Sequence, residues 1–405
     1  MFDRVIGKAV LSGIMTDSSE RLASVDVLKG MLIIAIVFVH IVIVRMDVLL
    51  SGADAAGTGV LSDDPASVGS LVIQALYLGL MAFFIISGYF YRPGRGFVEN
   101  MKKRVLQLVV ALTICAIMLP VITYAIMAVC GKAPGLEDLL TAFQWGFGLN
   151  GVFSSYDVFS VHPKCGGCIG YYYLWTMLWG FLIFYAIADR VREDWRKTVA
   201  AILVLLVITM LLKEFLPVKL PMYAQLGPIA AAFMLVGMAA SKHGLIERVE
   251  GFRLTSGRDW ALFLGSLVTV IVLVAIFPPG TDFPSMGFGD FGGYSVFIYF
   301  VEAMVMFVVL LHLALLFSRM IGFNWVFTTA GRHSLGILLL HGSLVTMMIA
   351  PFYDLPSGDW FPDEMGLTPS LIVAVLSIVL SIIICVAARK VLERMAERKA
   401  EGSAQ

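Results

Sequence analysis

Apolar residues fall along this chain in ten blocks, at roughly 27–48, 68–91, 105–130, 171–189, 198–216, 221–241, 260–278, 294–317, 329–350 and 369–388. A helix needs about 20 such residues to cross some 30 Å of hydrocarbon. Backbone amides in lipid must be satisfied within the segment, so blocks of this kind are helices and not strands. The pattern predicts an all-α polytopic membrane protein with about ten transmembrane helices. Residues 27–388 form one membrane domain, preceded by a segment 1–26 and followed by a charged tail, 389–405. In the first of these, Arg4, Lys8, Asp17 and Glu20 interrupt the continuous apolar region that a cleavable leader needs. Phe2, Val5, Ile6, Val10, Leu11 and Ile14 suggest a helix lying on the membrane surface instead.

Composition agrees. Of 405 residues, 59% are hydrophobic and 14% charged, against about a quarter charged in soluble domains. Net charge is zero, so nothing points to a nucleic-acid partner; the partner implied is the lipid bilayer. Orientation follows from the basic residues. With the N-terminus inside, the inner segments hold all of the 29 Lys and Arg except Arg45, Lys132, Lys164, Lys213 and Lys219. Both termini are therefore expected in the cytoplasm, and the protein in the inner membrane as a multi-pass chain. The longer connections, 49–67, 131–170, 279–293 and 351–368, fall on the outer side and are rich in Gly, Pro, Asp and aromatics. They read either as a roof over a cavity or as ordinary turn-rich links. Cys115 and Cys385 read as packing residues within spans. In the outer sequence His162-Pro163-Lys164-Cys165-Gly166-Gly167-Cys168, the two cysteines suit a short disulfide or free thiols. Zinc held by His162 and both thiols is the other reading, although a fourth ligand is not evident.

Ionisable side chains deep in a span are costly and suggest function. Lys29 and His40 are eleven residues apart on the first span, which is about three helical turns plus 20° and a rise of about 16.5 Å. They share one stripe, with Lys29 at the inner rim and His40 past mid-membrane. A rim cation suits phosphate, and a neutral imidazole suits proton abstraction; a snorkelling lysine and a hydrogen-bonded structural histidine would give the same spacing. Span nine repeats the pattern. Arg332 and His333 stand at its entrance, and Ser334 and His341, seven apart, share a face; helix–helix hydrogen bonding by His341 is the plainer alternative. On span eight, Glu302 could orient an imidazole on another helix, while His312 reads as structural. At the inner end of span two, Ser87-Gly88 lets a neighbouring backbone or a narrow ligand arm come close.

Four pieces in order resemble acyltransferase family 3, membrane enzymes that modify exported glycans and other hydroxyl compounds. They are Arg21 to His40, Phe83 to Phe90 (FF-x-x-SGY-F), Tyr173-Leu174-Trp175, and Gly331 to His341. The resemblance covers roughly residues 20–390 and is strongest to the branch related to fucose 4-O-acetylases. Where the family usually carries Arg, this chain has Lys29, which keeps the charge but loses the bidentate fork for phosphate. The resemblance implies an acyl-CoA donor, usually acetyl-CoA, entering from the cytoplasm, with no bound cofactor and no metal. Its phosphates would rest near Lys29, Arg332 and His333, with its arm running inward past Ser87. His40 would act as general base, Glu302 would orient it, and His341, Ser87 or Ser334 would bind the oxyanion or the acceptor. Tyr173 and Trp175 would contact a sugar or glycan acceptor. Two other readings fit the same residues: a transporter or flippase using His and Glu as a proton relay, or a catalytically inactive family member.

Overall fold

The computed structural model describes residues 23–43, 68–132, 135–149, 171–216, 220–250, 256–277, 295–349, 351–352 and 365–402. The expected surface helix near the N-terminus, Arg21, the His162–Cys168 cluster and the Gly-rich outer run lie outside these residues. The described elements are helices: α1 (Ala23–Phe38) continuing into a π turn (Val39–Ile43), α2 (Val68–Tyr89), α3 (Phe97–Val129), α4 (Leu136–Gly146), α5 (Tyr171–Val191) and α6 (Trp195–Phe215). A 3-10 turn (Pro221–Leu226) leads into α7 (Gly227–Lys242), followed by α8 (Leu245–Glu250), α9 (Gly257–Ile276), α10 (Ser295–Ser318), α11 (Phe323–Arg332), α12 (Ser334–Ile349) and α13 (Leu367–Gly402). No strand occurs among the described residues.

Eight of these helical stretches are long and apolar enough to cross a membrane, and α11 with α12 makes a ninth as a bent pair. The tenth expected span is α2, apolar over Gln74–Tyr89. Two spans differ from expectation in a way that matters. The expected single span 329–350 is two helices meeting at 84° at His333. The first span leaves α-geometry at Val39, so His40 sits in a π turn. Such turns add a residue to the helical ring and recur at functional sites.

Lipid removes the hydrophobic drive for helices to associate, so spans pack through small residues that let backbones touch. This chain does so at two crossings. At the α2–α7 crossing, a Cβ on Gly88 would strike the Met234 carbonyl, and one on Gly237 would strike the Ile85 carbonyl. At the α1–α11 crossing, Gly30 lies against the Phe327 carbonyl and Gly331 against that of Asp26. Each crossing uses one glycine from each helix. The first places α7, buried along almost its whole length, at the centre of the bundle beside α5. The second pins α11 across the N-terminal half of α1. It also accounts for the bend: Gly331 is committed to the contact with α1, α11 ends at Arg332, and α12 restarts at Ser334 in a new direction.

Candidate active site

The α1–α11 crossing decides the rim. Asp26, one turn before Lys29 on α1, is 8% exposed. Its Oδ1 lies 4.0 Å from Lys29 Nζ, and its Oδ2 lies 3.7 Å from Arg332 Nε. Two cations that the sequence separates by some 300 residues thus converge on one carboxylate. Lys29 also stands over the Phe90 ring, 5.7 Å from its centroid. His333, at the elbow, faces Arg332 and, from α13, Arg389. Sequence reasoning missed Asp26 as a site residue; its i, i+3 spacing to Lys29 was the available signal.

Deeper, α1 and α12 bring two histidines together. His40 Nδ1 lies 3.2 Å from His341 Nε2, with the rings within 6° of parallel. The tautomers follow from the acceptors. His341 Nδ1 lies 2.9 Å from the Ile337 carbonyl and 3.0 Å from that of Leu338. A carbonyl only accepts, so this nitrogen carries the proton and His341 Nε2 offers a lone pair. His40 Nδ1–H donates to that lone pair, which leaves His40 Nε2 unprotonated and basic. His341 is 1% exposed, whereas His40 is half-buried. An imidazole held by an orienting group is the geometry that proton abstraction requires.

Glu302 does not supply that orientation. It is 1% exposed on α10, its Oε1 has no hydrogen-bond partner, and no hydrogen bond or ion pair joins it to either histidine among the described residues. The position on His40 expected for Glu302 is held by His341. Tyr173 and Trp175 are buried at 4% and 3% exposure. Their polar atoms donate to the carbonyls of Leu80, at 3.4 Å, and Gly146, at 3.1 Å, so both brace α5 against its neighbours. Tyr171, not singled out from the sequence, donates to the Leu339 carbonyl at 2.9 Å and steadies the turn of α12 that carries His341. Ser87 and Ser334 are half-buried on α2 and at the start of α12. His312 bonds the Val308 carbonyl of its own helix at 2.7 Å, which suits a structural residue.

A basic rim joined by one helix to a half-buried, oriented imidazole is the frame on which comparison with known proteins bears. The family 3 acyltransferase domain matches residues 22–390. The chain belongs to that family. It is a membrane acyltransferase, and this weighs against the transporter reading of its buried His and Glu. No curated protein and no solved structure matches the chain.

Proposed function

We propose that this acyltransferase moves an acyl group, most simply acetyl, from acyl-CoA to a hydroxyl of a sugar or glycan acceptor, with His40 as general base. The observation that carries the reading is the tautomer chain from the Ile337 and Leu338 carbonyls through His341 to His40. It leaves one basic nitrogen, His40 Nε2, on the helix whose inner end carries Lys29. The donor's phosphates rest on Lys29 and Arg332, displacing or sharing Asp26, with His333 beside them. Its arm runs outward between α1 and α2, past Ser87, to bring the thioester to His40.

His40 Nε2 takes the proton of the acceptor hydroxyl as its oxygen attacks the thioester carbonyl. The C–S bond then breaks, and the CoA sulfur leaves with the proton held by His40. Positive charge on His40 is stabilised by His341 and, behind it, by the two carbonyls. Hydroxyls of Ser87 or Ser334 are the candidates to hold the oxyanion. The distribution of basic residues supports cytoplasmic termini in an inner membrane, and hence donor entry from the cytoplasm.

The test is release of free thiol from acetyl-CoA by purified protein in detergent, comparing wild type with His40→Ala. Release that depends on His40 is the expected result. Equal rates in the two proteins would end the assignment of the base.

A further inference from the structure

Glu302 is free of the role the sequence suggested for it, and its surroundings point elsewhere. On the same face of α10, one turn away, Tyr299 donates to the Tyr77 carbonyl of α2 at 3.0 Å and interacts with Glu302. Tyr172 on α5 lies within electrostatic reach of Tyr77 and Tyr299, and its ring lies 5.7 Å from that of Tyr223 in the 3-10 turn. Four elements thus contribute tyrosines to one neighbourhood of the bundle. Thr176 and Trp179 continue the stripe of Tyr172 along α5, at i+4 and i+7. Thr176 Oγ1, Trp179 Nε1 and Glu302 Oε1 are buried without a hydrogen-bond partner. Buried polar atoms are nearly always satisfied, so the two orphans one turn from Tyr172 and from Tyr299, Thr176 Oγ1 and Glu302 Oε1, call for a group that satisfies them.

We infer that the region lined by Tyr77, Tyr172, Tyr223, Tyr299, Thr176 and Glu302 is a binding site for an uncharged ring bearing several hydroxyls. The inference rests on the acyl-transfer reading and assigns the acceptor to this place. Phenol rings supply flat apolar faces for the C–H face of such a ring, while the orphaned donor and acceptors take its hydroxyls. Charge narrows the class. Glu302 has no ion-pair partner among the described residues, so a negatively charged ring would share a low-dielectric volume with a carboxyl and nothing to offset it. The site is also near the chemistry: Tyr171, next to Tyr172, holds the carbonyl two residues before His341.

The experiment measures equilibrium binding by quenching of tryptophan fluorescence, using methyl α-glucopyranoside and its uronic-acid analogue as probes. Wild type and His40→Ala should both bind the neutral glycoside saturably, and bind the acidic one at least tenfold more weakly. Glu302→Gln and, as the milder change, Tyr299→Phe should each weaken neutral binding about tenfold while eluting as monodisperse protein. No saturable binding, equal binding of the two probes by wild type, or binding untouched in both variants would each overturn the inference. Glycoside binding that persists where thiol release proves independent of His40 would preserve the pocket and remove the transfer reading. His40-dependent release without glycoside binding would do the reverse.

Discussion

Replacing His341 with leucine keeps the volume at that point of α12 and removes the acceptor of the His40 Nδ1 proton. In the proposed reaction, His40 becomes positively charged as it takes the acceptor's proton, so the lost bond is one to a charged group, worth about 1.5–3 kcal/mol. At about 1.36 kcal/mol per factor of ten, the rate should fall about 10- to 160-fold. Loss of the base itself, His40→Ala, should cost about 10²- to 10⁴-fold. The two residues act as one unit, because His341 works only through the nitrogen of His40. The double variant should therefore be no slower than His40→Ala alone, within about twofold. The assay is thiol release from saturating acetyl-CoA, so that kcat is read apart from donor binding. If the two losses multiply, His341 has a function of its own and the tautomer argument fails.

Arg332→Ala should raise KM for acetyl-CoA severalfold and leave kcat nearly intact, since Arg332 touches Asp26 at the rim and not the histidines. With S-acetylpantetheine, which lacks the nucleotide phosphates, the variant and wild type should become equal; a persisting difference would refute the phosphate role. Gly331→Ala must push its new methyl into the Asp26 carbonyl, an overpacking cost of about 1–3 kcal/mol. Gly265→Ala on α9 meets nothing within 4 Å, so only the first should lower the thermal midpoint in detergent. Just past the end of α2, burial and the hydrogen bond to Asp189 hold the Tyr91 hydroxyl above the usual 10.0. A folded pKa raised over the unfolded one adds stability that is fully present below pH 10 and lost as pH rises further. Melting midpoints from pH 8 to 11 should fall less steeply in Tyr91→Phe than in wild type, and parallel curves would contradict this.

The spans were legible because the physics that selects them is local. Enough consecutive apolar residues cross hydrocarbon whatever surrounds them, and every expected block lands on a helix of the fold. Lys29 and His40 were legible for the same reason, as two positions on one stripe. The partner of His40 was not. Glu302 and His341 are both ionisable residues in apolar surroundings, and nothing in local spacing says which of them meets a residue on α1. The choice is made by the α1–α11 crossing, where glycines that look ordinary in sequence bring α12 alongside the first span. Asp26 was overlooked because one carboxylate near a helix start is commonplace; its meaning comes from Arg332, which only the fold brings near. The bend at His333 was hidden too, since the run 329–350 is apolar enough to read as one straight crossing.

That crossing has a consequence for the size of what the enzyme accepts. Near the rim, α1 meets the elbow of α11 backbone to backbone, with no side chain between them to yield. Farther in, the imidazoles tie α1 to α12. Between these two ties, α1 rises about 16.5 Å from Lys29 to His40, and α12 about 10.5 Å from Ser334 to His341. The pair works as a caliper whose jaws cannot slide. On the proposed mechanism, a donor gripped by its phosphates at one end would be gauged by the reach of its arm, and a thioester carbonyl that fell short of His40 or overshot it would not be presented to the base. Whatever hangs beyond that carbonyl is not gauged by these two helices, so tolerance of the acyl group must be set by the walls around His40.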